Sequence, residues 1–173
     1  FIGNVLWRQN HQSFDAVSLS NTSIKDLKLS YAYINKVNTI FGDDLTAGLI
    51  DDGVIDMNSH LFNVQYSGLS IGKLEAYSYL LDYEDAAKDN ANSTATYGVR
   101  LSGAKPVNED FAAIYTAEYA TQHDYADGKM DPQDYYLFEL GGKYQGWLAK
   151  LSYEVQEGDG TYSFKTPLGT NHA

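Results

Sequence analysis

The sequence predicts an all-β fold, an antiparallel meander of hairpins, and three observations predict it. Apolar and polar residues alternate with period two in segment after segment, whereas helical periodicity is poor. The connections alternate between tight and long. Small residues and tyrosines occupy the apolar positions where a packed core would carry Val, Ile and Leu.

The alternation is clearest at 27–33, where Leu27, Leu29, Tyr31 and Tyr33 share one face and Lys28, Ser30 and Ala32 the other. Phe62, Val64, Tyr66 and Gly68 likewise oppose Asn63, Gln65 and Ser67, and Leu74, Ala76, Ser78 and Leu80 oppose Glu75, Tyr77 and Tyr79. The next two segments place Tyr97, Val99 and Leu101 against Gly98, Arg100 and Ser102, and Phe111 to Tyr119 in steps of two against Ala112, Ile114, Thr116 and Glu118. In the last two, Tyr136, Phe138, Leu140, Gly142 and Tyr144 oppose Leu137, Glu139, Gly141 and Lys143. Trp147, Ala149, Leu151, Tyr153 and Val155 oppose Leu148, Lys150, Ser152 and Glu154. About eight strands are visible in all. Every charge within these segments falls on the second face, so the first must sit in something apolar, because successive strand side chains point to opposite sides of a sheet.

The tight connections are 23–26, 70–72, 106–110 and 145–146; the long ones, 37–59, 83–94 and 122–133, are acidic and rich in Asn, Gly and Asp. Short turns at one end and long loops at the other mark a transmembrane barrel, whose strands need about 9–11 residues each. A soluble sandwich has no reason for that asymmetry. Gly68, Ala76, Ser78, Gly103, Ala113, Ala117, Gly142 and Ala149 on the apolar face would leave voids in a packed core, whereas lipid tails fill such gaps. The fold expected is therefore part of a transmembrane outer-membrane β-barrel, one domain over 1–173, cut at both ends from a longer precursor. The alternative is a soluble or periplasmic β-sheet module that binds carbohydrate through exposed Tyr and Trp.

Composition narrows the function. The formal charge of −11 supplies no basic surplus, which argues against nucleic-acid partners. Cysteine is absent, excluding disulfide scaffolds and thiolate metal sites. No run of about 18 apolar residues exists for a transmembrane helix. The 15 tyrosines suit boundaries between an apolar medium and water.

No motif points to catalysis, a cofactor or a metal. The run 68–73, Gly-Leu-Ser-Ile-Gly-Lys, is one residue short of a P-loop, and Leu74 stands where the magnesium-binding hydroxyl belongs, so it reads as strand–turn–strand. His11, His60, His123 and His172 lie far apart without metal-ligand spacing, and His123 falls in a loop with no nucleophile elbow beside it. Asp43, Asp44, Asp51, Asp52 and Asp56 fall in one loop without EF-hand spacing, and with Asp124, Asp127 and Asp131 they read as solvated acids rather than a calcium site. Glu139 and Glu154 share their face with Lys143 and Lys150, which favours mixed charge along a wet wall over a glycosidase pair. The expected pore lining is a ring of Arg8, Lys28, Arg100, Lys143 and Lys150 balanced by Glu75, Glu118, Glu139 and Glu154.

Several phrases also carry a family likeness. Trp7-Arg-Gln-Asn10, Ser13-Phe-Asp15, the run 18–26, Tyr31-Ala-Tyr33, Ile40-Phe-Gly42 and the closing run 162–173 resemble the alginate-export family of outer-membrane porins. The resemblance implies a larger barrel of which this chain supplies a central-to-late block of strands. It implies outer-membrane lipid around the barrel and passive passage of a hydrophilic solute, in the named case an acidic polysaccharide, through a positively lined lumen. The chain departs from a strongly cationic pore, since Arg8 and Arg100 are its two arginines and the polar face carries about as many acids as bases.

Overall fold

The computed structural model describes residues 11–39, 53–84 and 92–166. They form eight strands: β1 (Ser13–Asn21), β2 (Leu27–Asn38), β3 (Val54–Leu69), β4 (Gly72–Leu81), β5 (Thr94–Pro106), β6 (Phe111–Asp124), β7 (Gln133–Tyr144) and β8 (Trp147–Gln156). Each pairs antiparallel with the next in chain order, and β1 and β8 are not paired with each other. The expected meander of hairpins is what forms.

The tight connections follow from local chemistry. Gln145 and Gly146 both adopt positive φ, 44° and 90°, the two-residue turn whose twist matches the strands it joins. Asp26 takes φ 61° to close the β1–β2 turn, an Asx-type residue in a region most side chains avoid. Between β5 and β6 the Asn108 side chain accepts from the Asp110 and Phe111 amides at 3.0 and 2.8 Å. The near-P-loop run is the β3–β4 turn, with Leu69 opposite Gly72.

Strands run further into the long connections than alternation suggests. β2 continues to Asn38, β3 begins at Val54, β6 ends at Asp124 and β7 begins at Gln133. The Asn, Asp and Ser residues there mimic a loop, yet the pairing continues. Asp56 is consequently a strand residue, paired with Lys36 at 3.5 Å, not part of an acidic loop. Asp43, Asp44, Asp51 and Asp52 lie outside the described residues. Among the described residues no three His, Asp or Glu side chains gather where a metal ion would be held. His123 also belongs to a strand, correcting its reading as a loop residue.

β3 has 16 residues. At about 3.3 Å per residue and a tilt near 40° it would rise roughly 38 Å, beyond the ~25 Å apolar band of a barrel wall. Strand ends can therefore carry charges on either face, as Lys36, Asp56 and Asp134 do.

The burial pattern is inverted relative to a soluble sheet. Phe138, Leu140 and Leu151 on the apolar face are 54%, 67% and 79% exposed, whereas Asn63, Thr96 and Gln122 on the opposite face are 3% or less. A soluble sandwich would put the apolar face inside. The polar face is not polar along its whole length, however. Ala32, Ile34, Val37, Ile55, Met57, Leu61, Leu81 and Tyr83 form a buried apolar cluster on it, towards the long-connection end of β2–β4.

Candidate functional site

Charged side chains on the polar face line up in rows that follow the hydrogen-bond register. One row crosses β2 to β8 as Lys28, Gln65, Glu75, Arg100, Glu118, Leu137 and Glu154. The next, towards the tight turns, runs from β4 to β8 as Lys73, Ser102, Thr116, Glu139 and Ser152. Lys143 stands at the turn end, opposite Ala112 and Leu148, and Lys150 lies opposite Gly141. Eight of the nine expected lining residues thus share one face; Arg8 lies outside the described residues.

Most of these charges are paired. Arg100 Nη1 donates to Glu118 Oε2 at 2.9 Å, and Tyr77 donates its hydroxyl to Glu118 Oε1 at 2.7 Å. Glu75 accepts from Asn63 Nδ2 at 2.7 Å and pairs with Lys73 Nζ at 3.1 Å. Glu139 Oε2 accepts from Lys150 Nζ at 2.9 Å and Ser152 Oγ at 3.0 Å, and Glu154 Oε1 accepts from the Tyr135 hydroxyl at 3.0 Å. Lys28 and Lys143 have no ion pair among the described residues. Lys73, Tyr77 and Tyr135 were not singled out from the sequence. Lys73 was hidden in the near-P-loop run, although its spacing of two from Glu75 puts both on one face.

A glycine sets the Arg100 network. Tyr77 lies over Gly98, directly opposite it in the ladder, and a Cβ at Gly98 would overlap the Tyr77 ring. An aromatic ring covering a cross-strand glycine restores contacts the glycine forgoes. Gly98→Ala is expected to push the ring away from Glu118 and cost about 1–3 kcal/mol by overpacking. Urea unfolding of the detergent-solubilised protein measures it; an unchanged midpoint would remove the steric account.

After β8 the chain returns across the polar face. Glu157 N donates to Asp134 O at 2.9 Å, Phe164 N to Glu157 O at 2.8 Å, and Gly158 bridges Ser163. Phe164 stacks on Tyr135 with ring centroids 5.3 Å apart and packs with Ala120, Tyr77 and Leu137. Gln122 holds the Lys165 backbone from both sides: its Nε2 donates to Lys165 O at 3.0 Å, and its Oε1 accepts from Lys165 N at 2.8 Å. The same Nε2 donates to Thr96 Oγ1 at 2.7 Å.

Asp159 closes this turn by accepting from the Thr161 and Tyr162 amides, each at 2.7 Å. The Tyr162 and Thr161 amides hold its carboxyl below the usual aspartate range. Because the folded carboxyl is the stronger acid, its stabilisation of the turn is present above the ordinary aspartate pKa and is lost as pH falls through the depressed one. Amide exchange of Thr161 and Tyr162 is expected to quicken on acidification, and Asp159→Ala to remove that dependence. A pH dependence that survives in the variant would assign it to another group.

The opposite face carries two aromatic belts. Towards the long connections Tyr31 stacks with His60 and packs against Phe62, Tyr97 stacks with His123, and Tyr119 meets Tyr136. Nearer the tight turns on their own strands stand Tyr66, Phe111, Tyr115, Tyr144 and Trp147, and the aliphatic Leu29, Val64, Val99 and Leu151 share the face with them. Aromatic girdles flanking an aliphatic band are the pattern expected of a transmembrane barrel's outer surface.

These faces and this topology define an antiparallel wall of the outer-membrane β-barrel type. The solved structure of OpdL of Pseudomonas aeruginosa, an outer-membrane porin, matches it with a TM-score of 0.64 at 16% identity, covering 86% of this chain and 40% of that one. The chain therefore spans about 40% of the length of that porin. No protein-family model and no curated protein matches the sequence, so the alginate-export likeness gains no family match.

Proposed function

We propose that this chain is a block of the wall of a bacterial outer-membrane channel that passes a hydrophilic solute passively. The observation that carries this reading is the inverted pair of faces: an exposed apolar face with two aromatic belts, and a polar face whose charges are paired across strands. The polar face would line water and the apolar face lipid. Because hydrogen bonds run perpendicular to strands that tilt by about 35–45°, each charged row would climb obliquely along the pore rather than circle it.

The acidic polysaccharide implied by the family likeness is the finer reading of the cargo. Charge weighs against it, since a polyanion needs uncompensated cations and most cations here are neutralised by a carboxylate. Planar-bilayer conductance of the full-length gene product tests both levels. Stepwise currents blocked by polyuronate support a polysaccharide channel, and currents indifferent to it support a smaller solute. Arg100→Gln should alter ion selectivity while sparing assembly. No current, with detergent-free solubility, would return the reading to a soluble carbohydrate-binding module.

A further inference from the structure

We infer that the polar face carries a subsite for an uncharged, polyhydroxylated solute of hexose size, built on the Glu139–Lys150 pair; this rests on the channel reading above. A cavity of about 320 Å³ opens beside that pair, lined by Ser102, Gly103, Ile114, Thr116, Glu139 and Lys150 among others. Ser102, Thr116, Glu139 and Ser152 stand directly opposite one another on four successive strands, an unbroken polar floor. At about 4.8 Å per strand that floor is roughly 14 Å long.

Beside the cavity, Gly141 leaves room for the Lys150 stem. Gly141 lies between Ile114 and Lys150 in the ladder, and a Cβ there would overlap the Ala149 carbonyl and sit 2.9 Å from Lys150 Cγ and 3.1 Å from Ile114 Cγ1. The lysine stem can therefore lie across β7 and bring Nζ to Glu139 Oε2 at 2.9 Å.

The unfilled hydrogen-bonding capacity defines the ligand. A carboxylate offers about four acceptor positions and an ammonium three donors. Lys150, Ser152 and Thr116 take three of the former on Glu139, and Glu139 takes one of the latter on Lys150. A hydroxyl both donates and accepts, so adjacent hydroxyls of one ligand match a carboxylate beside an ammonium. The pair is electrically balanced, so a net charge on the ligand brings attraction from one member and repulsion from the other. Ile114 supplies an apolar patch for the C–H face of a sugar ring.

The test is glucose binding to the full-length protein in detergent by saturation-transfer NMR, with bilayer currents from the same preparation. The Glu139→Gln/Lys150→Gln double variant removes one charge of each sign, leaving net charge unchanged; circular dichroism verifies its fold. Saturable glucose binding in the parent, weakened about tenfold in the double variant (about 1.4 kcal/mol), is expected. Absence of saturable binding, equal binding in the variant, or stronger binding of glucuronate than of glucose would overturn the subsite, whether or not current flows. Binding without current would uphold the subsite and overturn the channel reading alone.

Discussion

Val99→Arg is expected to abolish assembly of the barrel, with a loss of about 2–4 kcal/mol for a guanidinium near the bilayer midplane. Val99 is 44% exposed on the apolar face, between Ala76 on β4 and Tyr119 on β6. In water that exposure would make the substitution harmless, since surface changes away from special features lie within about 0.5 kcal/mol. The two environments therefore predict opposite outcomes for one residue. Leu29→Arg on β2 and Leu151→Arg on β8 should behave alike, because the same face runs across the sheet. Arg100, one position along, already carries the same group on the opposite face, so chain position is nearly held constant. Folding yield into lipid vesicles is the measurement. Parental yields for all three variants would sink the lipid-facing assignment.

The faces were legible in the sequence because period-two alternation is a local property. Every segment from 27–33 to 147–155 has its charges on the side the structure gives them. Strand ends were less legible. Around Asp56 and Gln122 the pattern turns polar, and such residues look like loop in one dimension, although β3 and β6 pass straight through them. The partners of the charges were not legible either. That Glu118 divides its two oxygens between Tyr77 on β4 and Arg100 on β5 depends on register, which bulges shift by a residue. The return of 157–166 across the polar face left no periodic signal, since it is held by one buried glutamine, one phenylalanine and a backbone bond from Glu157 to Asp134.

That return supplies the second large effect. Gln122→Leu is expected to release 157–166 from the wall while leaving the sheet paired. Gln122 is 1% exposed, and its amide satisfies both the N–H and the C=O of Lys165. Leucine fills nearly the same volume but offers neither donor nor acceptor. Two backbone groups would lose the bonds that Gln122 gives them, and a buried polar group left unsatisfied costs about 1–3 kcal/mol. Undocking restores both to water, at the expense of the Phe164–Tyr135 stack, which is worth about 0.5–1.5 kcal/mol beyond its area. Two unsatisfied groups, about 2–6 kcal/mol together, stand against the stack and the re-exposure of Phe164, about 1.5–3 kcal/mol, so the segment is expected to undock around Phe164 and Lys165. Gln122→Glu separates shape from chemistry: it keeps the acceptor for Lys165 N but loses the donor to Lys165 O and Thr96, so an intermediate effect is expected. Hydrogen exchange followed by mass spectrometry reads the result. Peptides covering 157–166 should exchange at least tenfold faster in Gln122→Leu, corresponding to about 1.4 kcal/mol, with those from β3 and β4 unchanged. Protection equal to the parent would mean that the Phe164–Tyr135 stack and the Glu157–Asp134 bond hold the segment without Gln122. Faster exchange throughout β5–β7 would mean that Gln122 supports the sheet itself.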